Sequence, residues 1–219
     1  MKKEIEISIP TSYEDISLKK WLALQKEIDN YKDDNEAVGA LTIQYLCGLD
    51  PIYLQALPAD AYNTIRDELT RFIGNVELPL QRFVTIDGVE HGIEPNLSKM
   101  AYGAYADISK YEVVAIDDNW AKIMNILYRP VTERKGDMYS IKRYEGNDDY
   151  TKWLNVGMNI HFGALFFLLN LQTSLLSSIL NSLKEEELPH NIKSILAKSG
   201  PRMQQLLNWQ KEISSVLTK

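Results

Sequence analysis

The fold is decided by the stretch Arg82-Phe-Val-Thr-Ile-Asp-Gly-Val-Glu-His-Gly-Ile93, which interrupts a sequence with helical spacing on both sides. At its centre, Asp87-Gly88 separates two short runs of β-prone residues. Asp-Gly is a strong hairpin signal, because a type I′ turn needs positive φ at both central residues. The stretch therefore predicts a β-hairpin. A second short β segment, from Met138 to Tyr144, is a candidate to pair with it.

Outside this stretch, most apolar residues recur at helical spacing. Thr11 with Glu14 matches the capping-box pattern S/T-x-x-E and predicts a helix after it. Gly48 and Arg129-Pro130 are typical of helix ends, and Pro51 after Asp50 is typical of a helix start. The other predicted helices cover approximately residues 35–47, 59–73, 96–104, 117–128, 151–183 and 191–217.

The N-terminal residues follow a different pattern. Ile5, Ile7 and Ile9 alternate with polar residues and predict a short half-buried strand that ends at Pro10. Because these apolar residues do not form a continuous run, we expect no signal peptide. The single cysteine, Cys47, excludes an intramolecular disulfide and fits a reducing compartment.

These elements predict a mainly α fold: a helical domain with a small β-hairpin or short antiparallel sheet. The 219 residues, 45% of them hydrophobic and 25% charged, have ordinary globular composition. A weak boundary is conceivable near residues 76–79, but we predict one mainly helical domain over residues 1–219.

The stretch from Leu154 to Leu183 holds no Asp, Glu, Lys or Arg and is long enough to cross a bilayer. It also contains many Asn, Ser, Thr and Gln residues, which are costly in hydrocarbon. We therefore expect a buried core helix, or a helix in an oligomer interface, rather than a membrane span. Helical spacing predicts that Phe162, Phe166 and Leu169 are buried, and Gly163 would permit close approach of a neighbouring helix.

Catalytic and ligand-binding motifs are not found in the sequence. It has no GxGxxG, GxxxxGK[ST] or GxSxG pattern, and His91, His161 and His190 lie far apart without metal-ligand spacing. We therefore expect no enzyme activity and no catalytic, cofactor-binding or metal-binding residues. The formal charge of −6 disfavours a broad nucleic-acid surface, which needs a basic face.

One basic stretch has two interpretations. It combines Tyr139 and Tyr144 with the cations Arg129, Arg134, Lys135, Lys142 and Arg143. Such a set could contact a phosphate backbone or an acidic partner. The favoured interpretation is a solvated loop balanced by Glu133, Asp137 and Glu145. Locally, Tyr128 can pack while Arg129 remains free to pair with a carboxylate.

Five stretches together carry a family resemblance: Ile9-Pro-Thr-Ser-Tyr-Glu-Asp-Ile-Ser-Leu-Lys-Lys-Trp21, Cys47-Gly-Leu-Asp-Pro51, Glu94-Pro-Asn-Leu97, Trp120-Ala-Lys-Ile-Met-Asn-Ile-Leu-Tyr-Arg-Pro130 and His161-Phe-Gly-Ala-Leu-Phe-Phe167. In this order they resemble small helical proteins encoded among the structural and tail genes of tailed bacteriophages, particularly the crAss-like phages of gut Bacteroidales. Such proteins are often described as tail assembly chaperones or uncharacterised virion proteins. The shared motifs concern packing and turns, so the resemblance implies no catalytic residues.

The resemblance implies a non-enzymatic morphogenesis protein that acts by protein–protein binding in tail assembly. The alternatives are a structural or cargo protein packaged in the virion and a host-directed binding module. The implied partners are other phage structural proteins or further copies of the chain. The implied location is the host cytoplasm during assembly, or the virion for the packaged alternative. The twelve Tyr and four Trp residues agree with extensive packing or interface use.

Overall fold

The computed structural model describes residues 6–31, 33–73, 78–111 and 116–182. These residues divide into two compact units. The first, which we call the N-terminal unit, comprises the described residues up to 73 together with Gly157–Asn159. The second, which we call the sheet unit, comprises the described residues of 78–156 and 160–182. The predicted helix at 191–217 lies outside the described residues. The prediction of a single domain stays a prediction.

The N-terminal unit begins with a short 3-10 turn, Tyr13–Asp15, followed by helix α1, Leu18–Ile28. The capping box lies one residue later than predicted: Ser12 Oγ accepts from the Glu14 N–H (3.3 Å), and the Asp15 carboxylate accepts from the Ser12 N–H (3.2 Å). Both predicted partners, Thr11 and Glu14, are therefore wrong by one position. Ser17 then caps α1 itself, accepting from the Lys20 N–H at 3.3 Å.

The strand predicted at residues 5–9 is not formed over residues 6–9, the part of it that the structure describes. The alternation itself persists, since Glu6 and Ser8 are exposed whereas Ile7 and Ile9 are half-buried. Alternation indicates which side chains face the protein, but a strand also needs a paired neighbour, which sequence spacing does not report.

Three further helices complete this unit: α2 (Asn35–Cys47), α3 (Pro51–Gln55) and α4 (Ala59–Ile73). Their boundaries confirm the predictions for 35–47 and 59–73 and for a start at Pro51. Gly48 ends α2 with φ of 65°, a left-handed conformation that favours glycine. α1 packs against α2, and the core includes Trp21, Leu24 and Ile43.

The sheet unit contains a four-stranded antiparallel sheet in the order β1-β2-β3-β4. The strands are Phe83–Ile86, Val89–Ile93, Tyr128–Lys135 and Met138–Ile141. The predicted hairpin is confirmed: β1 pairs with β2, and the turn residues Asp87 and Gly88 have φ of 50° and 77°. The predicted segment from Met138 forms β4, which pairs with β3 rather than with the hairpin.

Strand β3 was not predicted. Helix α6, Trp120–Leu127, ends near the predicted position, but the chain continues directly into β3 at Tyr128. Arg129-Pro130 thus lies inside a strand, where Arg129 is paired with Gly92. The predicted helix at 96–104 is also divided, into a 3-10 turn (Leu97–Lys99) and helix α5 (Tyr102–Ile108).

The long helical stretch is divided into a 3-10 turn, Thr151–Asn155, and helix α7, Met158–Ser182. The division occurs where Gly157 forms an isolated bridge with Ser17 and the Met158 N–H donates to the Ile16 carbonyl oxygen (2.8 Å). A Cβ atom on Gly157 would lie 2.6 Å from the Glu14 carbonyl oxygen, so this approach requires glycine. No described helix is both long and apolar enough to cross a membrane.

Burial along α7 follows the prediction for two of three residues. Phe162 and Leu169 are buried, with 0% and 1% exposed, whereas Phe166 is only half-buried. With roughly 100° of rotation per residue, Leu169 lies about 20° from Phe162 around the helix and Phe166 about 40° on the other side. Phe166 therefore lies at the margin of the buried stripe, which continues through Leu165 instead.

The seven α-helices and four strands of the described residues make a mixed α/β protein with a helical majority. This agrees with the predicted mainly α fold with a short antiparallel sheet.

Candidate functional site

Two of the three histidines, which are far apart in sequence, lie against one indole ring in the sheet unit. Trp153 is fully buried, and its ring centroid lies 6.0 Å from that of His91 and 6.2 Å from that of His161. Tyr128 packs on the same indole at 5.3 Å. The sequence did not indicate this cluster, because its members come from β2, β3, the 151–155 turn and α7.

Hydrogen bonds indicate which ring nitrogen carries the proton in each neutral histidine. The Trp120 indole N–H donates to His161 Nδ1 at 3.2 Å, so the neutral ring carries its proton on Nε2. Burial lowers the pKa of His161 to about 3, although the carbonyl groups of Trp153 and Val156 favour its protonated form. His91 donates from Nδ1 to the Val89 carbonyl oxygen at 2.9 Å, and burial lowers its pKa as well.

The neighbouring polar groups are occupied by structural hydrogen bonds. The Trp153 indole N–H donates to Asn125 Oδ1 (3.2 Å), and Asn125 Nδ2 donates to Asn147 Oδ1 (2.9 Å). Asn147 Nδ2 in turn donates to the Lys122 carbonyl oxygen (3.1 Å). This chain connects α6 to the loop after β4 and to the 151–155 turn. It is suited to holding these segments together.

A metal site needs several ligating side chains close together in the structure. Within the part of the chain that it describes, no three His, Cys, Asp or Glu side chains are grouped as a metal site requires. The Cys47 thiol is partly buried, and burial raises its pKa to about 11, which disfavours the thiolate needed for metal binding or nucleophilic attack.

The basic stretch does not form one cationic site. Arg129 pairs with Glu94, each side chain being only 10% exposed. This is the kind of carboxylate pairing for which the sequence left Arg129 free. Tyr128 packs as expected and is fully buried. Arg134 pairs with Glu90 (2.6 Å) and lies 3.8 Å from the centroid of the Phe83 ring.

Lys142, from the same stretch, pairs with Glu145 at 2.7 Å. Glu145 was one of the predicted balancing acids, whereas Glu94 and Glu90 were not among them. Their roles depend on the pairing of β2 with β3. Three of the five predicted cations thus have carboxylate partners. The predicted solvated loop is wrong, because Arg129, Arg134 and Lys135 lie in β3 and Arg129 is nearly buried.

The surface of α5 carries two prominently exposed aromatic side chains. Tyr102 is 83% exposed and Tyr105 61% exposed, and their spacing of three residues places them on neighbouring positions of the helix. The Tyr144 ring lies against Gly103, and its hydroxyl donates to Asp107 Oδ2 at 2.5 Å. Asp107 also pairs with Lys110 at 2.6 Å. These contacts hold Tyr144 beside α5.

Two more tyrosines extend this region through Lys122, whose ammonium nitrogen lies 5.9 Å from the centroid of Tyr111 and 5.5 Å from that of Tyr150. We name the five residues the tyrosine surface: Tyr102, Tyr105, Tyr111, Tyr144 and Tyr150. Tyrosine combines a large apolar ring with a polar tip and few rotatable bonds, so such a surface is suited to contact another protein. Its sequence signal was the concentration of Tyr in residues 102–111 and 144–150.

The tyrosine surface is the candidate functional site, and its geometry alone supports this choice. No protein-family model, curated protein or solved structure matches the chain.

Proposed function

We propose that this chain is a non-enzymatic morphogenesis protein of a tailed bacteriophage that binds other phage proteins during tail assembly. The observation that supports binding is the tyrosine surface, above all the exposure of Tyr102 and Tyr105. Water contact with large apolar rings is unfavourable, and covering them with a partner recovers that free energy. Tyrosine is also enriched among residues that dominate binding energy at interfaces.

The phage assignment rests on the family resemblance of the five sequence stretches. It implies other phage structural proteins as partners, self-association as a further possibility, and the host cytoplasm as the place of action. The buried histidine cluster supports the non-enzymatic part of the proposal, because the indole N–H groups of Trp120 and Trp153 are engaged in hydrogen bonds that hold the fold.

The test is affinity capture from phage-infected host cells with the tagged protein as bait. We expect a phage structural protein to be retained by the wild type and lost with the double variant Tyr102→Ser/Tyr105→Ser. Tyr31→Ser is the matched control, since Tyr31 is also exposed, at 47%, but lies in the N-terminal unit. Retention unaffected by the double variant, or no retained phage protein, would contradict the proposal.

Mass spectrometry of purified virions gives a second criterion. Absence from the particle is expected for an assembly factor. Presence at a stoichiometric copy number would instead identify a packaged structural or cargo protein.

A further inference from the structure

Residues 6–9 have the side-chain pattern of a strand but no paired neighbour. Glu6 and Ser8 are exposed whereas Ile7 and Ile9 are half-buried, so the side chains alternate as they do in a strand. No backbone–backbone hydrogen bond joins these four residues to any other part of the chain that the structure describes. An extended segment with unpaired N–H and C=O groups can pair with a second strand.

Strand β4 has the complementary property, because it is an edge strand of the sheet. The Lys142 N–H donates to the Pro130 carbonyl oxygen of β3 at 2.7 Å, and the irregularity of this ladder lies in β3. Backbone groups alternate in direction along a strand. Those of Ser140 therefore also face β3, whereas those of Tyr139 and Ile141 point toward the open edge.

The open edge of β4 lacks the usual protection against pairing. Edge strands are commonly protected by charged residues or Pro, and the β4 sequence Met-Tyr-Ser-Ile contains neither. Met138, its first residue, is 73% exposed. Among the described residues, no other strand pairs with this edge.

We propose that residues 6–9 of one copy of the chain pair with β4 of a second copy as an antiparallel fifth strand. The proposed register places Ile7 opposite Ile141 and Ile9 opposite Tyr139. Because the backbone groups of these two β4 residues point outward, each pair would exchange N–H···O=C hydrogen bonds. Directly opposite side chains share one face of the sheet, so both pairs would also be apolar cross-strand contacts.

The same register matches the two ends of the segment. Glu6 lies opposite Lys142, which gives a pair of opposite charges. Lys142 also pairs with Glu145, but its side chain is 56% exposed and can contact a second carboxylate. Pro10, which has no N–H, lies opposite Met138, whose backbone groups face β3, so its missing donor is not needed.

Other arrangements match less well. A parallel pairing that keeps both Ile residues opposite Tyr139 and Ile141 places Glu6 opposite Met138 instead of a cation. Strand β1, at the other edge of the sheet, would place one Ile opposite the exposed Thr85 and Glu6 opposite the buried Ile86.

This inference goes beyond the proposed function. It specifies a contact between two copies of the chain, and it depends neither on the tyrosine surface nor on the phage assignment.

The test is a disulfide between copies. In a Cys47→Ala background, Ser8→Cys and Ser140→Cys are placed on separate chains with tags of different size, and the chains are mixed with diamide as oxidant. The proposed register makes these residues a non-hydrogen-bonded pair, whose Cα separation of about 4.5 Å suits a disulfide. We expect a covalent heterodimer. Thr85→Cys in place of Ser140→Cys is the matched control, because Thr85 is also an exposed hydroxyl residue on an edge strand.

Light scattering measures the association without a cross-link. Pairing of four residues is a small contact, so we expect a dimer that forms only as the protein concentration rises. Glu6→Lys should raise the dissociation constant about two- to fivefold, the range of one cross-strand pair. The double variant Glu6→Lys/Lys142→Glu should restore the wild-type value. Circular dichroism melts establish that the variants are folded.

Three results would overturn the proposal: a wild-type monomer at every concentration, no more heterodimer with Ser140→Cys than with Thr85→Cys, or a dissociation constant that Glu6→Lys leaves unchanged. Tyr102→Ser/Tyr105→Ser should not affect the association. Failure of the strand pairing is thereby distinguishable from failure of the proposed function.

Discussion

The Trp120 indole N–H donates a hydrogen bond to His161 Nδ1 across 3.2 Å, and both side chains are fully buried. The bond connects α6 to α7, and its two residues lie 41 positions apart in sequence. It requires a neutral imidazole, because a protonated ring has no acceptor at Nδ1. Acid should therefore break this contact and destabilise the fold.

The first prediction concerns pH. The pKa of His161 falls from the usual 6.5 to about 3 in the folded protein, so the unfolded state binds the extra proton between these values. Stability is therefore present above about pH 6.5 and is lost as the pH decreases toward 3. The expected slope from this group is about 1.4 kcal/mol per pH unit. Urea denaturation at several pH values from neutral to acidic measures it.

The control is His161→Gln, which can keep an acceptor for Trp120 but does not titrate. His91 and the carboxyl groups contribute to both proteins, so the difference between the two pH profiles reports His161. Parallel profiles would show that His161 does not titrate on unfolding as we expect.

The second prediction concerns the core side of α7. Phe162→Ala removes a fully buried ring and should lower the free energy of unfolding by about 3–5 kcal/mol. Phe166→Ala, at the half-buried position, should cost roughly 1 kcal/mol. Chemical denaturation compares them, and equal losses would show that the two positions are not distinguished by burial.

The third prediction concerns the Arg129–Glu94 ion pair. Glu94→Gln leaves a nearly buried guanidinium without its counter-charge and should cost about 3–5 kcal/mol. Replacing both residues, as Glu94→Leu/Arg129→Met, should restore much of that stability, since no buried charge remains. The exposed pair of Arg134 and Glu90 is the control, and Glu90→Gln should change stability by about 1 kcal/mol or less. A Glu94→Gln variant as stable as Glu90→Gln would refute the argument.

The fourth prediction concerns two helical glycines of the sheet unit. Ala at an exposed helical position usually stabilises by about 1 kcal/mol, and Gly103→Ala should do so, because its Cβ would lie 3.4 Å from the Tyr144 ring in ordinary contact. Gly163→Ala should destabilise instead, because its Cβ would lie 2.6 Å from the Pro79 carbonyl oxygen. Thermal melts should therefore shift in opposite directions, and an upward shift for Gly163→Ala would be inconsistent with that contact.

The features that were predicted correctly depend on neighbouring residues. The Asp87-Gly88 turn, the Gly48 helix end and the Asp50-Pro51 helix start each follow from backbone conformations that a few adjacent residues favour. Gly163 was expected to admit a neighbouring helix, but the segment that approaches it is the non-helical backbone at Leu78 and Pro79.

The features that were missed depend on distant partners. Strand β3 is defined by pairing with β2 and β4, and its first residues continue a helical apolar pattern from α6. The tyrosine surface joins α5 to residues 144 and 150, and the ion pair of Arg129 joins β3 to Glu94. Spacing along a chain cannot show which of several distant segments will meet, so the partners in these three features could not be identified from the sequence.

The order of strands has a consequence for how the sheet unit folds. The β1–β2 and β3–β4 pairs are local hairpins, which close within microseconds. Joining β2 to β3 requires His91, Gly92 and Ile93 to meet Pro130, Arg129 and Tyr128 across the whole segment 94–127. Because of the loop-closure entropy of that segment, we expect the pairing of β2 with β3 to form late in folding. Substitutions that weaken the pairing of β2 with β3 should therefore mainly accelerate unfolding and leave the refolding rate nearly unchanged.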